Sequence, residues 1–455
     1  MLHVEIRERS YYDSVALMQV TNGLQQIEGI EEAMVAMGTD MNKELLQNVG
    51  MYVSDIDAAT PNDLIVAIKA KDAKIIELAR EKVDELLTKK QGSVKNRGIL
   101  PSTLSAAMEQ APDANLVLIS VPGAYAAGEA EKALAAGKHV MIFSDNVKIE
   151  DEVKLKNIGR EKGLLVMGPD CGTSIINGVP LAFANVVPKG NIGIVGASGT
   201  GIQEVTSIIG RYGMGISQAI GTGGRDLRPQ VGGISMLMAI EALVEDPETD
   251  VIGVISKPPS PAVAEKILKS IENSKKPVVV SFLGSNQNSF TSNNKNITFC
   301  YGLEDTAFAL LRLAGHKEVS EKEQDAQKYA SILEKEIAQM SQEQKYLRAW
   351  FTGGTLCYEA MHYWKEAGLD VYSNIPLKEG FKLANSHLSK ENTAIDFGED
   401  EFTVGKPHPM IDPTLRRERM LREIQDKEIA LVLLDFVLGY GCSLDPVGEM
   451  LPCHH

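Results

Sequence analysis

The chain has 455 residues, 44% of them hydrophobic and 24% charged, with a formal net charge of −15. These proportions suit a globular protein of about three domains, at roughly 150 residues each, and the acidic balance excludes the basic face that a nucleic-acid partner would need. No apolar run approaches the roughly 18 residues of a membrane helix, and the first residues, MLHVEIRERS, lack a signal-peptide core. The five cysteines, Cys171, Cys300, Cys357, Cys442 and Cys453, are odd in number and widely spaced without a CxxC, so neither a disulfide framework nor a metal site is expected. The expected location is the reducing cytoplasm.

Residues 1–90 read as a small α/β domain of βαββαβ type. Strands are expected at His3–Arg9, Glu32–Met37 and Asp63–Ala70, and helices at Ser14–Ile27, Asn42–Val49 and Lys74–Leu87. Residues 91–112 are polar, contain Gly and Pro, and read as a linker. Over 113–188 apolar strands (Leu116–Val121, His139–Phe143, Leu164–Met167) alternate with helices (Ala126–Ala136, Glu150–Glu161). That rhythm implies a parallel sheet covered on both faces, a Rossmann-like domain.

The rhythm continues over 189–315, with strands at Ile192–Val195, Ile216–Ile220, Val251–Ser256 and Val278–Phe282 and a helix after each. Residues 316–345 read as an exposed linking helix. The pattern restarts over 346–455: Phe351-Thr352-Gly353-Gly354-Thr355, a helix at Leu356–Glu366, a strand at Asp370–Ser373, a loop-rich stretch with Ile395-Asp396-Phe397-Gly398, a helix at 413–425 and a strand at Ala430–Asp435. The order of parts in 190–285 and 346–441 matches, so one fold is used twice. The second copy is expected to be incomplete, without the helix and strand of Pro261–Phe282.

Two of the turns are candidate anion sites. Gly196–Gly201 (GASGTG) and Gly353-Gly354-Thr355 each lead from a buried strand into a helix, where unpaired N–H groups and the positive dipole end attract phosphate. Ser198, Gly199 and Thr200 belong to the first, Gly353, Gly354 and Thr355 to the second. Either could also be a plain strand-to-helix turn. The loop Gly221–Asp226 follows a strand at its carboxyl end, where ligand crevices form. Its Gly223 and Gly224 would admit a substrate, and Arg225 would clamp a carboxylate. In Gly168–Thr173, Asp170 would position a substrate amide beside Cys171, which reads more readily as a buried inert thiol. His408, held stiffly between Pro407 and Pro409, is a candidate hydrogen-bond donor.

From about residue 113 onward the chain resembles the succinyl-CoA synthetase superfamily. The residues that carry this are LVLISVPGAYAAGEAEKALAAGKHVMIF, GLLVMGPDCGT, NIGIVGASGTGIQE, YGMGISQAIGTGGRD and EDPETDVIGVIS on the α-type side, then FTGGT, AIDFGED and ALVLLDFVLGYGC on the β-type side. Over nearly its whole length it resembles the FdrA family, through ATPNDLIVAIKA, MIFSDNVKIEDEVKLK, MGPDCGTSIINGVPLAFANV, ISKPP and FTVGKPHPMIDPTLR. The resemblance implies an α/β fold with a small N-terminal α/β unit, a Rossmann-like CoA-binding-type domain (113–188) and two flavodoxin-like CoA-ligase-type domains (189–315 and 346–455), the second truncated. It also implies a subunit of an oxamate carbamoyltransferase, which converts oxalurate and phosphate into oxamate and carbamoyl phosphate in allantoin degradation.

In the synthetases a phosphorylated histidine moves between two helix starts, which GASGT and FTGGT match. Here Gly284-Ser285-Asn286-Gln287-Asn288 stands where that histidine loop should follow Val278–Phe282, and no His precedes Cys300. The CoA-binding glycine turn and an ATP-grasp domain are missing too. The expected chemistry is therefore carbamoyl transfer with inorganic phosphate as a substrate and no required cofactor, Arg225 and His408 acting on the substrate, in a hetero-oligomer with separate partner subunits. CoA and ATP belong to the alternative, an acyl-CoA synthetase; a non-catalytic scaffold subunit is the second alternative.

Overall fold

The computed structural model describes residues 1–455 except 9, 11, 13, 26, 40–41, 44–45, 48, 93–100, 102, 284–289, 317–321, 404–406, 440–441 and 452–455. Its contacts divide the chain into two units, Met1–Ala107 and Met108–His455.

The first unit holds β1 (Leu2–Arg7), α1 (Ser14–Gln25), β2 (Ile30–Met37), β3 (Leu64–Ala70) and α2 (Ala73–Gly92). The strands form an antiparallel sheet in the order β1-β3-β2. Alternation in β2 and β3 sends Val35, Val66 and Ile68 to one face, where they pack with Leu17, Leu24, Ala79 and Val83 of the helices. Ile65 and Ala67 face the other way onto Leu46, Met51 and Ile56. Among the described residues the unit is βαββα; the last strand of the expected βαββαβ is not among them. The expected helix Asn42–Val49 lies partly outside the described residues. So does the expected linker 91–112, of which Leu104–Gln110 forms a helix, α3.

The second unit opens with β4 (Leu116–Ile119), α4 (Gly123–Ala135), β5 (His139–Ile142), α5 (Ile149–Lys162) and β6 (Val166–Met167), whose strands form a parallel sheet in that order. An antiparallel hairpin follows, β7 (Thr173–Ile176) and β8 (Val179–Ala182). Next come β9 (Lys189–Gly196), α6 (Gly199–Arg211), β10 (Ile216–Gly221), α7 (Ile234–Glu245), β11 (Val251–Ser256), α8 (Pro261–Ile271), β12 (Val278–Phe282), β13 (Ile297–Cys300) and α9 (Leu303–Leu313). Their sheet runs β13-β12-β11-β9-β10-β7-β8. Its five parallel strands have the 2-1-3-4-5 order of a flavodoxin-like sheet, with the hairpin added at one edge. Apolar residues on both faces of β9, β11 and β12 give two cores, one beneath α7 and α8, the other beneath α6 and α9.

After α10 (Lys322–Gln339), a second copy is built from β14 (Tyr346–Phe351), α11 (Gly354–Glu366), β15 (Tyr372–Ser373), β16 (Thr393–Asp396), α12 (Asp400–Thr403), α13 (Thr414–Glu423), β17 (Ile429–Leu434) and α14 (Pro446–Met450). Its sheet order is β15-β16-β14-β17, all parallel. The first strand of each copy, β9 or β14, therefore lies between two later ones. The neighbour that corresponds to β10 is β16, within the stretch expected to be loop, and not the expected strand 370–373, which sits outside it as β15.

Candidate functional site

In a parallel sheet the strand ends and the starts of the following helices share one edge. At that edge the two copies meet. Ser198, the N-cap of α6, accepts from the Gly201 N–H at 3.1 Å, and its hydroxyl is also hydrogen-bonded to the Thr355 hydroxyl in the first turn of α11. A Cβ on Gly353 would lie 3.2 Å from the Thr200 hydroxyl. Ser198 and Thr355 are buried, Gly199, Thr200 and Gly353 half-buried. All six residues expected to bind phosphate thus fall along one seam between two helix N-termini.

The start of α11 differs from that of α6. Gly353 has no side chain to cap it, and what stands there comes from other elements. A Cβ on Gly354 would collide with the Lys257 ammonium and would come within 2.6 Å of Asp396 Oδ2. Lys257 leaves the carboxyl end of β11 and lies 3.8 Å from Asp396 and 3.4 Å from Glu399, with its side chain 36% exposed. It also sits over the Tyr358 ring. Burial pulls the Lys257 ammonium down, but Asp396 and Glu399 outweigh it and hold it above its usual value. Burial lifts the Asp396 carboxyl to about 6 although Lys257 opposes it, with Glu399 adding repulsion. Asp396 is positioned by its own loop: Oδ1 accepts from the Gly398 N–H at 2.8 Å.

His408 does reach this loop. A Cβ on Gly398 would lie 3.1 Å from both His408 Nε2 and Asp396 Oδ1. His408 Nδ1 accepts from the Met410 N–H at 3.3 Å, which leaves the proton on Nε2. Burial, with Arg416 nearby, lowers its pKa to about 4, so the ring is neutral near pH 7 and presents a donor. Opposite, Asp435 at the end of β17 accepts from the Thr352 N–H and hydroxyl at 2.8 and 2.6 Å. It also pairs with the buried Arg416 at 3.0 Å.

The expected role of Arg225 fails. Arg225 is not a free clamp: it donates to the Val147 carbonyl at 2.8 Å and pairs with Glu152 at 3.0 Å. It joins a buried cluster in which Lys156 bonds the Thr222 carbonyl at 3.0 Å, Asp226 at 2.7 Å and Glu152 at 2.9 Å. Asp226 in turn accepts from the Ser235 and Met236 N–H groups and caps α7. Cys171 is 2% exposed and sits against Gly221 and Ser174. Burial pushes its thiol up to about 11, which agrees with the buried inert thiol read from the sequence. Gly224 and Asp170 do flank the seam: a Cβ on Gly224 would lie 3.8 Å from Asp170 and 3.9 Å from the Ala197 carbonyl. Gly223, at φ +85°, packs on the Pro169 backbone. The loop at 284–288 and residues Gly405 and Lys406 lie outside the described residues.

Three families of sequence match the chain. A model described as AllF, heavy metal-associated domain, covers residues 1–99; a CoA binding domain covers 188–284; a CoA-ligase domain covers 350–455. The CoA-binding match thus falls on the first copy and not on 113–188. YahF of Escherichia coli, a protein without an assigned activity, is 44% identical over 98% of this chain and 86% of its own length. The chain belongs to the family of YahF. Through its domains and relatives it also belongs to the succinyl-CoA synthetase superfamily. The succinate–CoA ligase α subunit of Aquifex aeolicus is 31% identical over 44% of this chain and 66% of its own length. The α-2 subunit of Trichomonas vaginalis is 30% identical over 57% of its own length, so this chain matches about two thirds or less of either synthetase subunit. A dinucleotide-forming acetyl-coenzyme A synthetase 1 of Ca. Korarchaeum cryptofilum overlays 74% of this chain and 71% of its own at a TM-score of 0.35 and 16% identity, too low to bear on function.

The names of these families imply two groups, which the residues treat differently. Residues 1–99 contain no cysteine and one histidine, His3, and among the described residues no group of three His, Cys, Asp or Glu could hold a metal. That donor set does not fit a soft heavy-metal ion. The seam fits the phosphoryl chemistry of a CoA ligase: an ammonium, two hydroxyls and first-turn N–H groups are all anion donors.

Sequence reasoning missed Lys257, Glu399 and Asp435. Lys257 and Asp435 each follow an apolar run, VIGVIS and IALVLL, and so could have been placed at the crevice edge by the same rule that marked Gly221–Asp226.

Proposed function

We propose that the chain is an acyl-phosphate-handling subunit of an acyl-CoA synthetase-type enzyme, with the seam between α6 and α11 as its phosphoryl site. The observation that carries this reading is the meeting of two helix N-termini, one from each copy, through Ser198 and Thr355 with Lys257 beside them. In such a ligase, a carboxylate and ATP give an acyl phosphate and ADP, and CoA then displaces phosphate to form the thioester. When bound, CoA supplies the thiol.

The chain's own residues would hold the phosphoryl group. Lys257 supplies the full positive charge, and the N–H groups of Gly199, Thr200, Gly354 and Thr355 supply preorganised dipoles that need no rearrangement as charge builds on the oxygens. The Ser198 and Thr355 hydroxyls would turn from each other to the ligand. His408 Nε2–H would serve as a neutral donor to a carbonyl, and Asp396, with its carboxyl near 6, would take or return a proton at the leaving oxygen.

A second reading has one specific observation behind it. No histidine lies between Val278 and Cys300, so a histidine-borne phosphoryl group is not available from that segment. Phosphate could then act directly, splitting oxalurate into oxamate and carbamoyl phosphate, which is itself an acyl phosphate. Both readings use one site and separate in one assay. The chain, with its co-purifying subunits, is given ATP, CoA and a panel of small carboxylic acids, and in parallel carbamoyl phosphate with oxamate. Thioester with ADP supports the ligase; oxalurate with released phosphate supports carbamoyl transfer. Absence of both products rejects the acyl-phosphate reading.

A further inference from the structure

The cation of the seam stands at the unfavourable end of a helix. A Cβ on Gly354 would collide with the Lys257 ammonium, so the charge sits directly at the start of α11, and the positive end of a helix dipole disfavours a cation. Two carboxylates hold it there, Asp396 at 3.8 Å and Glu399 at 3.4 Å. One positive and two negative side chains therefore share the place where an anion enters, beside the Tyr358 ring. A phosphoryl group cannot take up Lys257 and the first-turn N–H groups while both carboxylates keep their positions. Like charges within a few ångströms repel and compete for the one ammonium.

The two carboxylates are not held alike. Asp396 is 1% exposed, and its Oδ1 accepts from the Gly398 N–H at 2.8 Å. Its backbone is clamped by Asn374, whose Oδ1 accepts from the Asp396 N–H at 3.0 Å and whose amide donates to the Asp396 carbonyl at 2.9 Å. Glu399 is anchored through its backbone alone: its carbonyl accepts from the Phe402 and Thr403 N–H groups at 2.9 and 3.2 Å, at the start of α12. Its side chain is 36% exposed and meets Lys257 at a long 3.4 Å. It can rotate into solvent without unmaking the loop.

We infer that Glu399 is a resident counter-ion of Lys257, a built-in competitor that occupies the ammonium until an anionic ligand displaces it. The inference rests on the acyl-phosphate reading of the seam and adds a residue that restrains binding there. Glu399 keeps Lys257 at the helix start while the site is empty, and the affinity for the ligand is correspondingly lower. Asp396 stays in place throughout, because its backbone and one oxygen are fixed. The ligand that displaces Glu399 is a compact oxyanion, phosphate or an acyl phosphate, whose several oxygens meet the ammonium and the first-turn N–H groups at once.

The test is titration calorimetry of the full chain with inorganic phosphate at low ionic strength. Glu399→Gln keeps the shape of the side chain and removes its charge, so it should bind phosphate about three- to tenfold more tightly than the parent. The sign is diagnostic, because a side chain that merely braced the loop would weaken binding when altered. Glu399→Ala should shift the affinity in the same direction, so the result does not hang on how one variant folds. In a Lys257→Met background, Glu399→Gln should change the affinity by less than about twofold, since the competitor no longer has a cation to occupy. Equal or weaker binding by both Glu399 variants overturns the inference and leaves the phosphoryl site standing. A gain of the same size without Lys257 overturns it too. Phosphate binding by neither the parent nor the variants removes the acyl-phosphate reading and the inference with it.

Discussion

The two copies of the repeat present the same edge and equip it differently. In the first, the helix start is self-sufficient: Ser198 caps α6 and the strand beside it, β11, is buried on both faces. In the second, Gly353 supplies no cap, and the start of α11 is served by Lys257 from the other copy and Asp396 from β16. The first copy therefore provides the cation, Lys257. The second copy provides the titratable groups, Asp396 and His408.

The largest test of that contrast is packing. Ile255→Ala in β11 should destabilise by about 2–5 kcal/mol because it leaves a cavity, whereas Leu433→Ala, at a side chain 37% exposed, should change stability by less than about 1 kcal/mol. Denaturant melts of the two variants decide it; equal losses would mean that β17 is covered in solution.

The next is titration. The folded His408 has its pKa lowered to about 4 from 6.5, so the native state excludes the proton and loses stability as pH falls from about 6.5 towards 4, by about 3 kcal/mol at most. Asp396, raised from 3.8 to about 6, acts oppositely: its penalty is present above pH 6 and is relieved as pH falls towards 4. The two nearly cancel, so the parent should show a flat stability profile over that interval. His408→Asn should gain relative stability as pH drops, and Asp396→Asn relative stability as it rises. Melting temperatures from pH 4 to 7 check both signs.

Smaller again is the anion affinity. Lys257→Met should weaken binding of inorganic phosphate or acetyl phosphate by about 10- to 100-fold, the worth of one charged hydrogen bond in a partly desolvated site, as titration calorimetry would show. An unchanged affinity would detach Lys257 from the site. The smallest effect separates the caps: Ser198→Ala should cost about 1 kcal/mol, and Gly353→Ala within about 0.5 kcal/mol, because no cap is lost there.

Much of the architecture was legible because its strands are continuous apolar runs. VIGVIS and VVVSF are buried throughout, and period and length alone locate them. β16 escaped because only four residues, TAID, cross the core, and the last is a carboxylate, Asp396. The hairpin β7–β8 escaped although its turn, Asn177-Gly178, has both residues at positive φ, a strong hairpin signal. The two glycine turns were recognisable as strand-to-helix starts from local chemistry. The role of Arg225 was not legible, because its partner Glu152, 73 positions away, is fixed by tertiary packing and leaves no local trace. Lys257 and Asp396 are likewise remote in sequence and adjacent only once the copies fold together.

The cluster of Glu152, Lys156, Arg225 and Asp226 has a practical corollary. Glu152 and Lys156 are wholly enclosed, so dissolved ions cannot reach between them, and added salt leaves their attraction nearly intact. Pairs in solvent, such as Lys189 with Glu248 at 53% and 51% exposure, are screened instead. A wash in concentrated salt should therefore strip loosely held anions from the protein while the Gly221–Asp226 loop keeps its shape, leaving a clean preparation whose cleft is still formed.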